Sequence, residues 1–269
     1  MNVVTPELLS AIIHISELAA DEILKFYNVD YNIDMKDDLT PVTSADFAAH
    51  SVILNALTEL TPNIPVLSEE AANIPFHERK TWDTYWLVDP LDGTREFIKR
   101  NGEFSVNIAL ISGNESVLGV IYIPVTQTCY YATKGNGAYK KENGEIAKPI
   151  SAKKTCQESI IIAGSRSYRD TSLDNFLKNI ELHSGQYEII CMGSSIKSCL
   201  VAEGKVDIYP RLGPTSEWDT AAAQCIVEES GGLITDTSLQ PLKYNTKDTL
   251  LNPHFLAFAD KSVNWPNFL

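Results

Sequence analysis

Two aspartates lie three residues apart, directly after the apolar run WLV. Asp89, Pro90, Leu91, Asp92 and Gly93 follow one another there. Because Pro90 fixes one backbone angle and Gly93 permits a tight turn, both carboxylates and the Leu91 carbonyl can point at one place. A hard divalent cation binds such a set of oxygen atoms, and a helix beginning after Gly93 would add N–H groups that hold a phosphate. The alternative is a plain loop, since Asp, Pro and Gly dominate turns.

Three further acidic segments carry weaker signals. Glu69 and Glu70 directly follow a short apolar run, where a solvated start of a helix is the ordinary explanation. Asp46, in the segment TSAD, fits a simple helix cap. Asp219, in EWDTAAA, lies in the first turn of an apolar helix, where an interaction with the helix dipole explains it. Taken with the two aspartates, these acids shift the balance away from the plain-loop interpretation of DPLDG.

The net charge limits the partners of the protein. The chain has 269 residues, with 22 Lys and Arg against 35 Asp and Glu, so its formal net charge is −13. An acidic surface repels phosphate backbones, which argues against nucleic-acid binding. A small phosphorylated substrate stays compatible with this charge, because bound metal ions reverse the field locally. With 44% hydrophobic and 21% charged residues, the composition excludes a wholly disordered chain.

The cysteine pattern predicts a reducing compartment. Five cysteines without a CxxC pair suit free thiols better than disulfides or a zinc site. The N-terminal segment has neither a basic region nor a small-residue cleavage site, so we expect no secretory signal. No stretch reaches the roughly 18 uncharged apolar residues of a transmembrane segment. We expect a cytoplasmic protein; peripheral contact with the inner membrane stays open, as does the choice between monomer and homodimer.

Hydrophobic spacing predicts the elements that position these acids. Residues 6–27 predict an amphipathic helix with Thr5 as its cap and Pro6 at its first position, and a second helix is predicted over 44–60. Short apolar runs predict strands, the last three of them an antiparallel meander, at 65–67, 85–88, 106–111, 117–123 and 129–132. Later strands alternate with helices: strands at 160–163, 188–190, 206–209 and 255–258, and helices at 173–180, 195–203 and 220–230. This order predicts an α/β unit with a partly parallel sheet.

The ordered motifs resemble the inositol monophosphatase superfamily of metal-dependent, lithium-sensitive phosphatases. The acid after VTSA, the SEE segment, DPLDGT and the late WDTAAA…GG occur in the family's order and cover nearly the whole chain. The segments WLVDPLDGTREFIKRNGEFSVNIALI, GSSIKSCLVAEGKVDIYPR and LNP are most similar to those of the 3′(2′),5′-bisphosphate nucleotidases. Inositol monophosphatases usually carry Thr-Asn in place of Arg95-Glu96, and they lack basic residues matching Lys197 and Arg211. The resemblance implies an α/β fold of the layered αβαβα sugar-phosphatase type.

The resemblance also implies roles for the acidic positions. It implies that two or three Mg²⁺ ions are bound by the side chains of Glu69, Asp89, Asp92 and Asp219 and by the carbonyl of Leu91. Four carboxylates carry −4 and two Mg²⁺ ions +4, so the charges balance, whereas the cluster without metal would repel a phosphate. Thr94, positioned by Asp46, would help Glu69 to orient and deprotonate a metal-activated water for in-line attack.

Two phosphate sites follow from the same resemblance. The N–H groups of Gly93 and Thr94 would hold the reacting phosphate, next to Glu69, Leu91, Asp92 and Asp219. The non-reacting 5′-phosphate would contact Ser194, Lys197 and Arg211. The N–H groups of a helix that opens at Gly193-Ser194-Ser195 and the two-pronged guanidinium of Arg211 fit that use. The alternative for the two basic residues is an ordinary solvated surface. Tyr168 stands where related nucleotidases often carry His, so contacts to adenine stay unassigned.

The resemblance therefore implies a Mg²⁺-dependent enzyme that hydrolyses the 3′-phosphate of adenosine 3′,5′-bisphosphate (PAP), a by-product of sulfate activation, to AMP and phosphate. We expect action on the sulfated analogue PAPS as well; the preference between the two stays open, because the sulfate differs only at the far end of the molecule. Residues 1–149 are expected to form an α+β half with DPLDGT, and residues 150–269 an α/β half with Asp219 and the second-phosphate site. The alternatives are an inositol or sugar monophosphatase and, outside enzymes, a metal- or nucleotide-binding regulator on a phosphatase fold.

Overall fold

The computed structural model describes residues 4–27, 33–35, 41–155, 159–165 and 171–269. Within these ranges the helices are α1 (Pro6–Tyr27), α2 (Ser44–Leu60), α3 (Phe76–Arg79), α4 (Thr94–Ile98), α5 (Thr171–Ser184), α6 (Ile196–Ala202) and α7 (Glu217–Glu229). Short 3₁₀ helices cover Glu69–Ala71 and Trp265–Phe268. The N–H of Leu8 donates to Thr5 Oγ1 at 3.2 Å, so the predicted cap of α1 is confirmed.

The strands form two large sheets and one small antiparallel ribbon. The ribbon pairs β1 (Ile33–Met35) with β2 (Pro41–Thr43). The seven-stranded sheet contains, in spatial and chain order, β3 (Val66–Ser68), β4 (Thr84–Asp92), β5 (Ser105–Ser112), β6 (Glu115–Ile123), β7 (Thr128–Thr133), β8 (Ala138–Lys141) and β9 (Lys148–Ile150). Only its β3–β4 pair is parallel.

The five-stranded sheet is mixed. Its strands are β10 (Ser159–Ser165), β11 (Gln186–Met192), β12 (Ile208–Arg211), β13 (Leu233–Asp236) and β14 (Phe255–Phe258), in the spatial order β11-β10-β12-β14-β13. The pairs of β10 with β11 and β12 are parallel, and those of β14 with β12 and β13 are antiparallel. The predicted meander and the partly parallel second sheet are therefore confirmed.

Helices and sheets alternate in five layers. Helices α1 and α2 cover one face of the seven-stranded sheet, and α6 and α7 lie in the core between its other face and the five-stranded sheet. Helix α5 and the C-terminal 3₁₀ helix cover the outer face of the five-stranded sheet. At Gly119 a Cβ atom would meet the Ala222 carbonyl oxygen at 2.3 Å, so α7 packs directly on the backbone of β6. The layered αβαβα arrangement expected from the sequence is thus observed.

Several predicted boundaries were wrong. Strand β4 does not end at residue 88: its pairing with β5 continues to Asp92 across a register shift, so the two aspartates lie on a bulged strand end rather than in a turn. Helix α7 begins three residues earlier than predicted. Strands β8, β9 and β13 were missed because they are short, and β8 and β9 carry lysines.

Two absences concern only the described residues. No helix there combines the length and the apolar character needed to cross a membrane. Cys129, Cys191, Cys199 and Cys225 form no disulfide, while Cys156 lies outside the described ranges.

Candidate metal and phosphate site

Three predicted acids meet at one point. Asp89 and Asp92 come from the bulged end of β4, and Asp219 from the first turn of α7. One carboxylate oxygen of each lies within 4.8 Å of the other two. Strand β4 belongs to the seven-stranded sheet and α7 packs across its face, so the fold brings together residues that are 127 positions apart (219 − 92).

A serine at the start of α6 joins two of these acids. Ser195 donates its backbone N–H and its hydroxyl to Asp92 Oδ2, both at 2.5 Å, and its hydroxyl also lies 2.9 Å from the Asp219 carbonyl oxygen. Asn107 Nδ2, on β5, donates to Ser195 Oγ at 2.9 Å. Asp92 is thereby held by groups from β5 and from the start of α6.

Asp46 and Asp219 occupy equivalent positions in their helices. Each is the third residue of its helix and completes a capping box: Thr43 N–H donates to Asp46 Oδ2 at 2.7 Å, and Ser216 N–H donates to Asp219 Oδ2 at 2.8 Å. The other oxygen of Asp46, Oδ1, accepts the Thr94 hydroxyl at 3.1 Å. Asp46 therefore makes both the predicted helix cap and the predicted contact with Thr94.

The turn at Gly93 places Thr94 beside the acids. Gly93 has φ +94°, a left-handed conformation that L side chains rarely adopt, and α4 begins at the next residue as predicted. The Thr94 hydroxyl lies 3.4 Å from the Leu91 carbonyl oxygen. The backbone N–H groups of Gly93 and Thr94 donate to no group among the described residues.

Glu69 borders the cluster as well. It opens the 3₁₀ helix that follows β3, the strand paired with β4. Its carboxyl group hydrogen-bonds with that of Asp89. Burial, together with the negative charges of Glu69, Asp92 and Asp219, raises the pKa of Asp89 well above its usual value.

The electrostatics of the cluster fit a divalent cation. Burial, followed by the charges of Asp92 and Glu69, raises the pKa of Asp219 to about 8. Protonation or a bound cation relieves such repulsion between buried carboxylates. Because all the donors are oxygen atoms, the set suits a hard cation.

The predicted basic residues lie beside the acids. Lys197 is buried; its Nζ donates to the carbonyls of Ser194 at 2.6 Å and Met192 at 3.2 Å, and it lies 5.1 Å from the centre of the Tyr209 ring. Burial lowers the pKa of Lys197 to about 8. The solvated-surface alternative is therefore wrong for Lys197. Arg211 donates to the Pro214 carbonyl at 2.9 Å, and its charge acts on both Lys197 and Asp219.

One part of the predicted second-phosphate site is wrong. Two of the three N–H groups of Gly193-Ser194-Ser195 already have partners, because Gly193 N–H donates to Glu103 Oε2 at 2.8 Å and Ser195 N–H donates to Asp92. Acidic side chains from the first half of the chain already occupy them. Tyr168 lies outside the described residues.

Sequence reasoning missed Asn107 and Glu103 as site residues, and it assigned Ser195 to the phosphate instead of to Asp92. Asn107 and Ser195 hold Asp92, and Glu103 fixes the loop before α6. Asn107 gave one usable signal, since it is a single amide inside the apolar run of β5 and is 1% exposed. A buried amide has to be hydrogen-bonded, so its position marks a polar network.

The layered fold and the acidic cluster define a class of metal-dependent phosphatase. The profile of the inositol monophosphatase family matches residues 5–262, and the chain belongs to this family. Together with the acidic cluster, this membership indicates divalent-metal binding.

Relatives and a solved structure narrow the comparison. The chain is 41% identical over 268 residues to the 3′(2′),5′-bisphosphate nucleotidase CysQ of Aggregatibacter actinomycetemcomitans, covering 98% of this chain and 97% of the relative. It is 45% identical over 251 residues to CysQ of Salmonella typhimurium, covering 92% and 98%. The crystal structure of CysQ from Bacteroides thetaiotaomicron matches with a TM-score of 0.83 and 40% identity, over 96% of this chain and 99% of that one.

Proposed function

We propose that the protein is a Mg²⁺-dependent 3′(2′),5′-bisphosphate nucleotidase that hydrolyses the 3′-phosphate of PAP to AMP and phosphate and also accepts PAPS. The observation that carries the proposal is the cluster of Asp89, Asp92 and Asp219 beside Thr94, in a chain 40–45% identical to nucleotidases. The buried Lys197 supports the bisphosphate as substrate.

In this proposal two or three Mg²⁺ ions are held by the Leu91 carbonyl and the carboxylates of Glu69, Asp89, Asp92 and Asp219. The chemistry supplied by bound Mg²⁺ is charge neutralisation at the phosphate, a lowered pKa of the attacking water and stabilisation of the departing alkoxide. The protein's part is positioning, because phosphoryl transfer needs little covalent chemistry from side chains.

Thr94 and Glu69 orient the water. The Thr94 hydroxyl donates its proton to Asp46 Oδ1, so its lone pairs are available to accept a hydrogen bond from a water molecule. Glu69 lies beside Asp89 and takes the proton from that water. The N–H groups of Gly93 and Thr94 donate to oxygens of the reacting phosphate.

Lys197 and Arg211 hold the 5′-phosphate, together with the Ser194 hydroxyl. An ammonium group has three protons, and two of those on Lys197 point at the carbonyls of Met192 and Ser194. The third is available to a phosphate oxygen. Arg211 adds a second positive charge next to it.

The remaining parts of the proposal concern organisation. Residues 1–149 supply the metal-binding motif, and residues 150–269 supply Asp219 and the second-phosphate site. The strands support this division, since all strands of the seven-stranded sheet end by Ile150 and those of the five-stranded sheet begin at Ser159. A cytoplasmic location, lithium sensitivity and a role in sulfur metabolism complete the proposal.

Phosphate release from PAP, adenosine 3′-monophosphate and inositol 1-phosphate tests the proposal, first with Mg²⁺ and then with EDTA. We expect metal-dependent release with a strong preference for PAP. A preference for inositol 1-phosphate would keep the metal site and overturn the use of Lys197 and Arg211. Release from none of the three, with Mg²⁺ binding intact by calorimetry, would indicate a binding protein instead of an enzyme.

A further inference from the structure

The first turn of α7, which carries Asp219, is fixed by the chain segment 245–252. The Ser216 carbonyl accepts a hydrogen bond from Asn252 Nδ2 at 2.6 Å, and Glu217 N–H donates to the Leu250 carbonyl at 2.8 Å. Since Ser216 N–H donates to Asp219 Oδ2, the orientation of this carboxylate depends on contacts made by a distant loop.

Glu217 anchors the same turn in the protein interior. Its side chain is fully buried. Its carboxylate accepts the N–H of Asn245 at 2.8 Å and lies 3.2 Å from Lys247 Nζ. These two contacts join the base of α7 to the start of the loop.

Asn245 is hydrogen-bonded in turn to Arg79. Asn245 Oδ1 accepts from Arg79 Nη1 at 2.6 Å, and Asn245 Nδ2 donates to the Arg79 carbonyl at 2.6 Å, so the two residues hold each other by a reciprocal pair. Arg79 Nη2 also donates to the Asp248 carbonyl. Arg79 is 1% exposed and stacks its guanidinium on Phe76, 4.8 Å from the ring centre.

Arg79 ends helix α3, ten residues after Glu69 (79 − 69). The covalent chain leads from Glu69 to Arg79, and hydrogen bonds then connect Arg79 through Asn245 and Glu217 to the turn that carries Asp219. None of these three connecting residues belongs to the group of acids whose oxygens lie within 4.8 Å of one another.

Burying charged side chains is a poor way to gain stability. The desolvation of an arginine and a glutamate offsets much of what their hydrogen bonds contribute, and apolar residues of similar volume often stabilise a core as well. What directional hydrogen bonds add is a defined geometry. In metal proteins, such bonds orient the ligands, and removing one typically weakens metal binding or activity about 10- to 100-fold.

Resting on the proposed function, we propose that Arg79, Asn245 and Glu217 are positioning residues of the metal centre, which hold Asp219 in register with the segment carrying Glu69. They act through the first turn of α7 and touch neither substrate nor metal.

Asn245→Gly tests this proposal with little backbone strain. Asn245 has φ +56°, which glycine adopts readily, so the substitution removes both side-chain bonds to Arg79 and keeps the turn. We expect the Kd for Mg²⁺, measured by calorimetry without substrate, to rise about tenfold or more. The KM for PAP at saturating Mg²⁺ should stay within about twofold of wild type, since the nucleotide site is unchanged.

Arg79→Lys is the second variant. It keeps the positive charge, but one ammonium cannot reproduce the fork that bonds Asn245 and Asp248. Its Kd for Mg²⁺ should rise by less than that of Asn245→Gly. If Asn245→Gly fails to fold, Arg79→Lys carries the test.

Asp207→Asn is the matched control for the general effect of removing a buried charge outside the proposed connection. Asp207 is fully buried and accepts Ile161 N–H at 2.7 Å and Lys153 Nζ at 3.1 Å, in the five-stranded sheet. It should lower the urea midpoint without changing the Kd for Mg²⁺. An unchanged Kd in a folded Asn245→Gly or Arg79→Lys protein would overturn the positioning role alone. A wild-type protein that neither binds Mg²⁺ nor releases phosphate would overturn the proposed function itself.

Discussion

The acidic and the basic parts of the candidate site both bury charged groups, and they compensate the buried charge in different ways. On the acidic side, Asp89, Asp92 and Asp219 bring three carboxylates within 4.8 Å. On the basic side, Lys197 places one ammonium against two carbonyls and the face of Tyr209. Burial moves both kinds of group toward their neutral form, raising the pKa of Asp219 to about 8 and lowering the pKa of Lys197 to about 8.

The difference lies in what the protein supplies as compensation. Carbonyl dipoles and an aromatic face already stabilise the charge of Lys197, which needs no ligand to stay in place. The acids receive N–H and hydroxyl donors from Ser195 and Ser216, yet their mutual repulsion persists. The acidic side therefore needs protonation or a bound cation to relieve its repulsion, whereas Lys197 already has partners for its charge without a bound anion. Substitutions on the acidic side should have the larger effects.

Asp219→Asn should have the largest effect. The amide oxygen of asparagine can still accept the Ser216 N–H, so α7 stays capped, but one of the negative charges that hold the cation is lost. Losing several kcal/mol of charge stabilisation in the transition state corresponds to a fall in kcat/KM of about 10³-fold. Steady-state kinetics with PAP over a range of Mg²⁺ concentrations measure it.

Urea unfolding of the same variant without metal is the control. Removing one charge from a repulsive cluster should leave the variant at least as stable as the wild type. Near-normal turnover in a folded Asp219→Asn protein would show that this residue is not a metal ligand. The expectation of larger effects on the acidic side would then be wrong.

Lys197→Met should have the next largest effect, confined to the substrate with two phosphates. A charged hydrogen bond of about 1.5–3 kcal/mol is lost, which corresponds to a rise in the KM for PAP of roughly 10- to 100-fold. The KM for adenosine 3′-monophosphate, which lacks the 5′-phosphate, should stay within about twofold. Lys154→Met, at an exposed lysine, is the matched control. Equal changes for both substrates would exclude Lys197 from the second-phosphate site.

A pH series should reproduce part of that effect in the wild-type protein. Lysine is cationic when protonated, so with a pKa lowered to about 8 its charge is lost as the pH rises through that value. The ratio of the KM for PAP to that for adenosine 3′-monophosphate should rise about tenfold between pH 7 and 9. Titration of the acidic cluster affects both substrates alike, so it cancels in this ratio. In Lys197→Met the ratio should be flat; a flat ratio in the wild type would mean that Lys197 keeps its charge throughout.

The sequence allowed prediction of the acidic side far better than of its supports. The segment DPLDG places two carboxylates and a turn residue within five positions. The other acids were located because the motifs occur in the same order as in a known family. The bulge that keeps Asp92 on its strand was not predictable, because it depends on pairing with β5. A lone lysine is usually expected at the surface, and the burial of Lys197 follows from tertiary packing, which includes its contact with Tyr209. Arg79 and Asn245 are 166 positions apart, so no local pattern joins them.

Asp46→Asn should have the smallest effect and sharpens the comparison between the equivalent caps of α2 and α7. An asparagine that gives its oxygen to Thr43 N–H must present its NH₂ group to Thr94, which reverses the direction of the Thr94 hydrogen bond. The Thr94 lone pairs then face the amide instead of a water. We expect kcat to fall about tenfold, as for the loss of one orienting hydrogen bond, with the preference for PAP unchanged.

Thr43→Ala separates this role from helix capping. It removes the hydroxyl that accepts Ala45 N–H at 3.2 Å and donates to Asp46 Oδ2 at 2.7 Å, but it leaves the bond from Thr94 to the other oxygen, Asp46 Oδ1, in place. The free energy of unfolding should fall by about 1 kcal/mol while kcat stays near that of the wild type. If Asp46→Asn and Thr43→Ala lowered kcat equally, Asp46 would act only as a cap. The two capping acids would then differ only in that Asp219 belongs to the acidic cluster and Asp46 does not.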